Sequence, residues 1–331
     1  MSATEWKQRP EGGGLFAKRL LIWIGRHGGR RMARPFLLPI TAYFLLRRSG
    51  ERRASQTYLS RVLGRRAGWL DSARHLHAFS STILDRLFLL TGKLFYFDVS
   101  IGGLDEVHTE LDRGRGVLLF GSHLGSFEVM RVLALARPDY TIRVVLDRRQ
   151  NPALTALLDA LNPLIAGNVI DASQDGPSIA LAIKQATDQG HLVALLVDRV
   201  RPGEGALPVD FLGQTALFPT APWLIAAALQ VPVVLAFGLY EGGHRYRLVF
   251  ETFSAAISIP RHNRQQILGE LTARYAARLA HHARQAPYNW FNFYDFWQDE
   301  HAHDPTPATP LAAALRAGQP EPAPRDGAGL G

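Results

Sequence analysis

From Gly92 onward short aliphatic runs alternate with helix-length amphipathic stretches, and this alternation restricts the possible fold more than any other feature. The aliphatic runs read as strands at 116–120, 142–146, 169–171, 192–197, 231–237 and 246–251. Helices are expected over 127–136, 152–161, 177–189, 219–229 and 265–285, and several open on proline, which suits a first helical turn. Strands separated by helices of this length build a mostly parallel sheet covered on both faces. "EGGHR", between the last two strands, is short enough to close a hairpin, so the expected α/β sheet is mixed.

Before Gly92 the pattern is helical, with apolar residues three and four apart, as in "TILDRLFLL". Charge is concentrated there. Residues 1–100 carry 18 Lys and Arg against 6 Asp and Glu, a net +12, whereas the whole chain is +8. Such asymmetry points to an anionic partner, nucleic acid or a phospholipid surface. The apolar blocks in "LFAKRLLIWIGRHGGRRMARPFLLPITAYFLLRR" favour lipid. Neither 20–24 nor 36–46 reaches the roughly 20 residues a bilayer span needs. Arginines interrupt the apolar blocks and no small-residue cleavage site follows, which argues against a secretory signal. Two readings stand: a membrane-interfacial, monotopic segment, or an amphipathic helix packed on its own domain with a solvated basic face. The expected organisation is a flexible 1–14, a basic helical membrane-interfacial region 15–91, an α/β domain 92–298 and a disordered Pro/Ala-rich tail 299–331. The chain has no cysteine, which excludes disulfides, thiolate metal sites and cysteine nucleophiles. "HAHD" (His301 to Asp304) lies in the tail without supporting structure and reads as solvated, so neither a metal nor a cofactor is expected.

The chemistry concentrates in "VLLFGSHLGSFEVMRVLALA". Ligand sites of open α/β sheets collect at the carboxyl ends of strands. His123 follows the first strand directly, and Glu128 falls in the first turn of the next expected helix. On one continuous helix, residues five apart point about 140° apart. A His123–Glu128 contact therefore needs the histidine in the loop with the chain folding back, for which Gly121 and Gly125 supply freedom. One imidazole nitrogen would bond the carboxylate and the other would take a proton from a substrate hydroxyl. Alternatively, Glu128 caps its helix and His123 fills a polar loop. There is no GxSxG elbow and no Walker-type glycine loop.

"HLGSFE" resembles the H-x4-[D/E] signature of the glycerolipid and lysophospholipid acyltransferase superfamily, and its surroundings are most similar to the lipid A acyltransferase branch. "DRRQNPALTALLDALNP" resembles that branch's arginine-plus-Asn-Pro segment. "LVALLVDRVRPGEGALPVDFLGQTALFPTAPWLIA" is similar to its strand ending in Asp-Gln, its Phe-x-Gly turn and its proline-containing helix start. "LQVPVVLAFGLYEGGHRYRLVFE" looks like its final hairpin and "APYNWFNFYDFW" like its terminal Pro-x-x-Trp element. The resemblance covers roughly 15–297. Asp198-Arg199 stands where Asp-Gln is usual, and Asp147 holds the place of an arginine, with Arg148 and Arg149 following. "DR", "FLG", "GLYEGGHRY" and "NWFNFYDFW" look closer to predicted acyltransferases of aryl-polyene or xanthomonadin-type pigment pathways.

The resemblance implies an O-acyltransferase at the cytoplasmic face of a bacterial inner membrane, peripheral or monotopic. It would move an acyl group from acyl carrier protein or CoA to the hydroxyl of a lipid or pigment acceptor, with His123 as general base and Glu128 as its orienter. Nucleic acid is not an expected partner. Ser122 and Gly125 of the same loop are expected to contact substrate. Arg148 and Arg149 can bind a phosphate or carboxylate, or form a solvated loop pair. Asp198, after the aliphatic run "LVALLV", is expected in the same crevice, with Arg199 near substrate or paired to it. Phe218 and Pro219 precede helix amides that can hold an anion, or merely start a helix. The aromatics Trp290, Phe291, Phe293, Tyr294, Phe296 and Trp297 line an acyl channel, meet the membrane interface or lock the core. The competing functions are a non-catalytic lipid-binding or assembly protein of the same fold, and a true lipid A acyltransferase.

Overall fold

The computed structural model describes residues 29–131, 140–149, 155–156, 166–201 and 203–297. The chain enters through α1 (Gly29–Ala33), α2 (Leu37–Arg47), α3 (Ser49–Leu63) and α4 (Trp69–Leu90). An edge strand β1 (Asp98–Gly102) and helix α5 (Asp105–Asp112) lead to β2 (Val117–Gly121), β3 (Ile142–Leu146) and β4 (Val169–Asp171). Then come α6 (Gly176–Asp188), β5 (Leu192–Leu196), the hairpin β6 (Ala206–Phe211) and β7 (Gln214–Pro219), and α7 (Ala221–Leu229). Strands β8 (Val233–Gly242) and β9 (Arg245–Ser254) and helix α8 (Arg264–Gln285) complete it.

Among the described residues seven strands form one sheet in the order β1-β9-β8-β2-β5-β3-β4. Only β8 and β9 pair antiparallel within it, across the "EGGHR" turn, so the sheet is mixed and mostly parallel as expected. Side chains alternate faces along a strand, and here both faces are buried. Leu118, Phe120, Val193, Leu195, Leu235 and Phe237 join one core with α3, α6, α7 and α8. Val117, Leu119, Leu192, Ala194, Val234 and Ala236 face the other, with α4 and α5. Helices α3 and α4 thus contribute to the same two cores as the sheet.

Departures from expectation have local causes. β1 was not expected: "DVSIG" is largely exposed and has no aliphatic run. The "ALPVDFLGQTALFP" stretch forms the separate β6–β7 ribbon, turning on Leu212 (φ 56°) and Gly213 (φ 82°). Pro219 ends β7 instead of opening a helix; α7 begins at Ala221 with Pro222 in its first turn. α6 begins as its sequence suggests, with the Asp175 side chain accepting from the Ser178 backbone N–H ahead of Pro177. The expected helix over 127–136 starts as a 3-10 turn, Glu128–Arg131, and its remainder lies outside the described residues. So does most of the helix expected over 152–161.

Candidate active site

The central geometry follows from the register of two adjacent parallel strands. In the β2–β5 pair Gly121 lies opposite Leu196. Val197 continues the ladder by donating its N–H to the Gly121 carbonyl. His123 and Asp198 each stand two residues past these ends, so both leave the carboxyl edge of the sheet side by side. The His123 Nδ1 is 2.8 Å from Asp198 Oδ1, and the His123 backbone N–H donates to Asp198 Oδ2 at 3.0 Å. A third donor, the Trp290 indole Nε1–H, reaches the same Oδ2 at 3.0 Å.

Asp198 is fully buried, and its three donors compensate the desolvation of a carboxylate. Burial pushes its carboxyl up. His123, Arg199 and the Trp290 indole outweigh that and hold it well below the usual carboxylate range. An ionised carboxylate only accepts, so Nδ1 of His123 carries the proton and Nε2 keeps its lone pair. The imidazole itself remains 32% exposed. Burial, then the Arg199 guanidinium, lower its proton affinity below that of an ordinary histidine. The ring is therefore a neutral base of fixed tautomer at neutral pH.

The loop that carries His123 is pinned from two sides. Gly125 bridges Gly238 of β8 at φ 79°, and Ser126 donates its N–H to the Gly238 carbonyl. A Cβ at Gly125 would meet Gly238 O at 2.0 Å, and one at Gly238 would meet Ser126 O at 2.1 Å. Only two glycines permit that approach. From the other side Leu124 bridges Trp290, Gly125 donates its N–H to Asn289 O, and Phe291 donates its own to His123 O. Trp290 has no exposed surface and packs on Tyr58, Phe211 and Phe296. Of the terminal aromatics only Tyr294 is not buried, so the segment locks the core.

The contact expected between His123 and Glu128 is made instead by Asp198. Glu128 opens the 3-10 turn with its carboxylate turned to α4, where Arg86 Nε lies 2.6 Å from Oε1 and the Ser126 hydroxyl donates to Oε2 at 3.1 Å. Its partner Arg86 still acts on His123, adding to the fields that lower its proton affinity. Arg199 donates to the Phe291 carbonyl at 2.8 Å and lies over the Tyr294 ring. Ser122 is buried beneath the loop with Tyr275, whose phenol donates to the Gly121 carbonyl. Phe218 is wholly buried against Phe211, Tyr275 and Phe296, and Pro219 pairs with Ala206, so both are core rather than lining. Arg148 donates to the Ala166 carbonyl near β4 and Arg149 is exposed, both beyond β3, a strand farther out than β5.

Two further groups bear on the site, the Trp290 indole on Asp198 and Arg86 on Glu128. They come from 167 residues downstream and 37 upstream of His123, and no local spacing announces either. An open hollow lined by Leu224, Gln230, Pro260 and Arg264 shares no residue with this site. Among the described residues no group of three His, Asp or Glu converges as a metal ion would require. His301 to Asp304 lie outside the described residues.

A histidine with a buried acid at adjacent strand ends suits proton abstraction from a hydroxyl. No curated protein sequence matches the chain. The family model described as bacterial lipid A biosynthesis acyltransferase matches residues 91–299, a span that holds β2, β5, His123, Asp198 and Trp290. The chain belongs to that family and is an acyltransferase.

Proposed function

We propose that the protein transfers an acyl group from a thioester, on acyl carrier protein or CoA, to the hydroxyl of a lipid-type acceptor, with His123 as general base. The carrying observation is the Asp198 carboxylate on Nδ1, which leaves the Nε2 lone pair on an imidazole that is partly open to solvent. Nε2 takes the acceptor's proton as the oxygen attacks the thioester carbonyl. The tetrahedral intermediate then expels the thiolate, and the imidazolium returns its proton to that sulfur. Asp198 stabilises the transient imidazolium, as an acid does in a hydrolase triad. No acyl-enzyme is formed. The Arg199 charge, close enough to act on His123, favours the negative charge that develops on the carbonyl oxygen. His123→Ala is expected to abolish transfer, measured with a radiolabelled acyl donor, while melting temperature and vesicle binding persist; undiminished transfer would contradict the mechanism.

The acceptor is reached at an anionic membrane surface, the cytoplasmic face of a bacterial inner membrane. Among the described residues no helix is long and apolar enough to cross a membrane. The outward side of α1, α2 and the turn between them exposes Met32, Phe36, Leu38, Tyr43 and Leu46, flanked by Arg31 and Arg47. That combination suits a helix lying in the headgroup layer. The Asp198-Arg199 pair and the "GLYEGGHRY" and "NWFNFYDFW" wording favour a pigment-type acceptor of the aryl-polyene or xanthomonadin kind over lipid A. Mass spectrometry of lipids and pigments from cells with and without the protein decides: loss of an acylated pigment supports this reading, and loss of an acyl chain from lipid A replaces it.

A further inference from the structure

Helix α4 reaches the catalytic centre twice, and one of its contacts is unused by the reaction as written. His75 and Arg86 are eleven residues apart, which puts them on one face of the helix about 16 Å apart. Arg86 meets Glu128 on the His123 loop. His75 is completely buried, with Nε2 at 2.9 Å from the Trp290 carbonyl and Nδ1 at 2.9 Å from the Ser55 hydroxyl of α3. A carbonyl only accepts, so Nε2 carries the proton and Nδ1 accepts from Ser55. The ring sits among Tyr58, Phe291 and Phe293, at 5.5, 6.1 and 4.6 Å between centroids. Burial there lowers its proton affinity to a pKa of about 4, so it is neutral. The Trp290 carbonyl otherwise accepts only the Asn292 N–H of its own turn among the described residues.

We propose that His75 is a positioning residue for acyl transfer: from α4 it holds the Trp290 backbone so that the indole N–H stays on Asp198 and His123 keeps its aim. The chain of contacts runs Ser55, His75, Trp290, Asp198, His123, and it couples α3 and α4 to the base. Without the His75 bond the 290–291 segment loses its tie to α4. That segment supplies both the indole on Asp198 and the Phe291 N–H on the His123 carbonyl. This inference rests on the His123–Asp198 reading of the site.

The test compares His75→Gln, whose amide can reach the Trp290 carbonyl as Nε2 does, with His75→Asn, whose amide stops at the Nδ1 position. Transfer kinetics on the full chain are expected to show His75→Gln within about threefold of the parent kcat and His75→Asn down about tenfold or more, as outer-shell partners typically cost. KM for the thioester should not move. In a Trp290→Phe background the His75→Asn loss should vanish, because the indole it serves is gone. Equal losses in both His75 variants, or a His75→Asn loss that adds fully to Trp290→Phe, would overturn the proposal and leave a packing role. If His75→Asn does not fold, Ser55→Ala substitutes for it: a lower kcat at constant KM supports the relay, and an unchanged kcat refutes it. Full activity in Asp198→Asn would instead remove the underlying reading of the site.

Discussion

At the scale of single residues, two histidines with opposite tasks set the pH behaviour: His123, partly open to solvent, and His75, wholly buried. In the proposed mechanism His123 reacts only when neutral, and burial with Arg199 lowers its proton affinity. Protonation, and with it loss of rate, therefore sets in only as pH falls below the ordinary histidine value of about 6.5. A pH profile of kcat/KM should stay flat above neutrality and fall on its acid side below that value; a limb rising above pH 7 would contradict the assignment. His75 acts on stability. Its folded pKa is about 4, while the unfolded chain protonates near 6.5. Stability from this group is full above 6.5 and is lost as pH falls from there toward 4. The loss is about 2 kcal/mol between pH 7 and 5. Urea unfolding at those two pH values should show that loss in the parent and a smaller one in His75→Gln. His123 was legible in the sequence because a histidine in a Gly- and Ser-rich stretch at a strand end has few packing roles. The sequence offers Glu128 as its partner because a spacing of five is visible, whereas the Asp198 contact that the structure shows spans 75 residues and is not visible. Asp198 stood out as a carboxylate ending an aliphatic run, but its meeting with Nδ1 depends on the β2–β5 register, which no local pattern encodes.

At the scale of elements, the site is held by crossings between segments. The catalytic loop lies against β8 at two glycines and against 289–291 by backbone hydrogen bonds. Gly238→Ala puts a methyl group within 2.1 Å of the Ser126 carbonyl and 2.7 Å of the Val129 side chain. Overpacking of this kind costs about 1–3 kcal/mol. The expected outcome is a lower melting temperature together with a lower kcat, because the displaced loop carries His123. A normal kcat in a folded Gly238→Ala protein would show that the loop's approach to β8 does not set the geometry. The sheet strands with aliphatic runs were readable, since both faces of each are buried. β1 was missed because its side chains are mostly exposed. The β6–β7 ribbon was missed because Leu212 takes a positive φ, where Asn or Asp is the usual signal. The first helical turns anchor the hairpin at the sheet's other side. There the Arg30 guanidinium pairs with Asp85 at 2.7 Å and bonds the Gly243 carbonyl, and the Tyr246 phenol donates to Asp85.

At the scale of the whole molecule, the uneven charge and the exposed apolar side of α2 belong together. Leu38 and Leu46 are 66% and 67% exposed, eight residues apart on one helix face, within the segment that carries the excess of arginine. Leu38→Asp combined with Leu46→Asp should lower partitioning onto anionic vesicles roughly 100-fold, from lost apolar burial. Transfer to a soluble short-chain alcohol should be unaffected; undiminished vesicle binding would contradict the membrane role proposed for α2. The charge asymmetry was visible in the sequence, but the packing of α3 and α4 into both cores was not, because amphipathic helices look alike whether they cover a sheet or a bilayer. What unites the molecule is the claim that His123 works against Asp198 across two strand ends. The direct test is transfer kinetics of Asp198→Asn beside Glu128→Gln. Asp198→Asn should lose about 10³- to 10⁴-fold in kcat through the wrong imidazole tautomer. Glu128→Gln should lose far less, because the Asp198 contact with Nδ1 stays in place while the uncompensated Arg86 charge lowers the proton affinity of His123 further. A large loss in Glu128→Gln with Asp198→Asn near the parent rate would contradict the account.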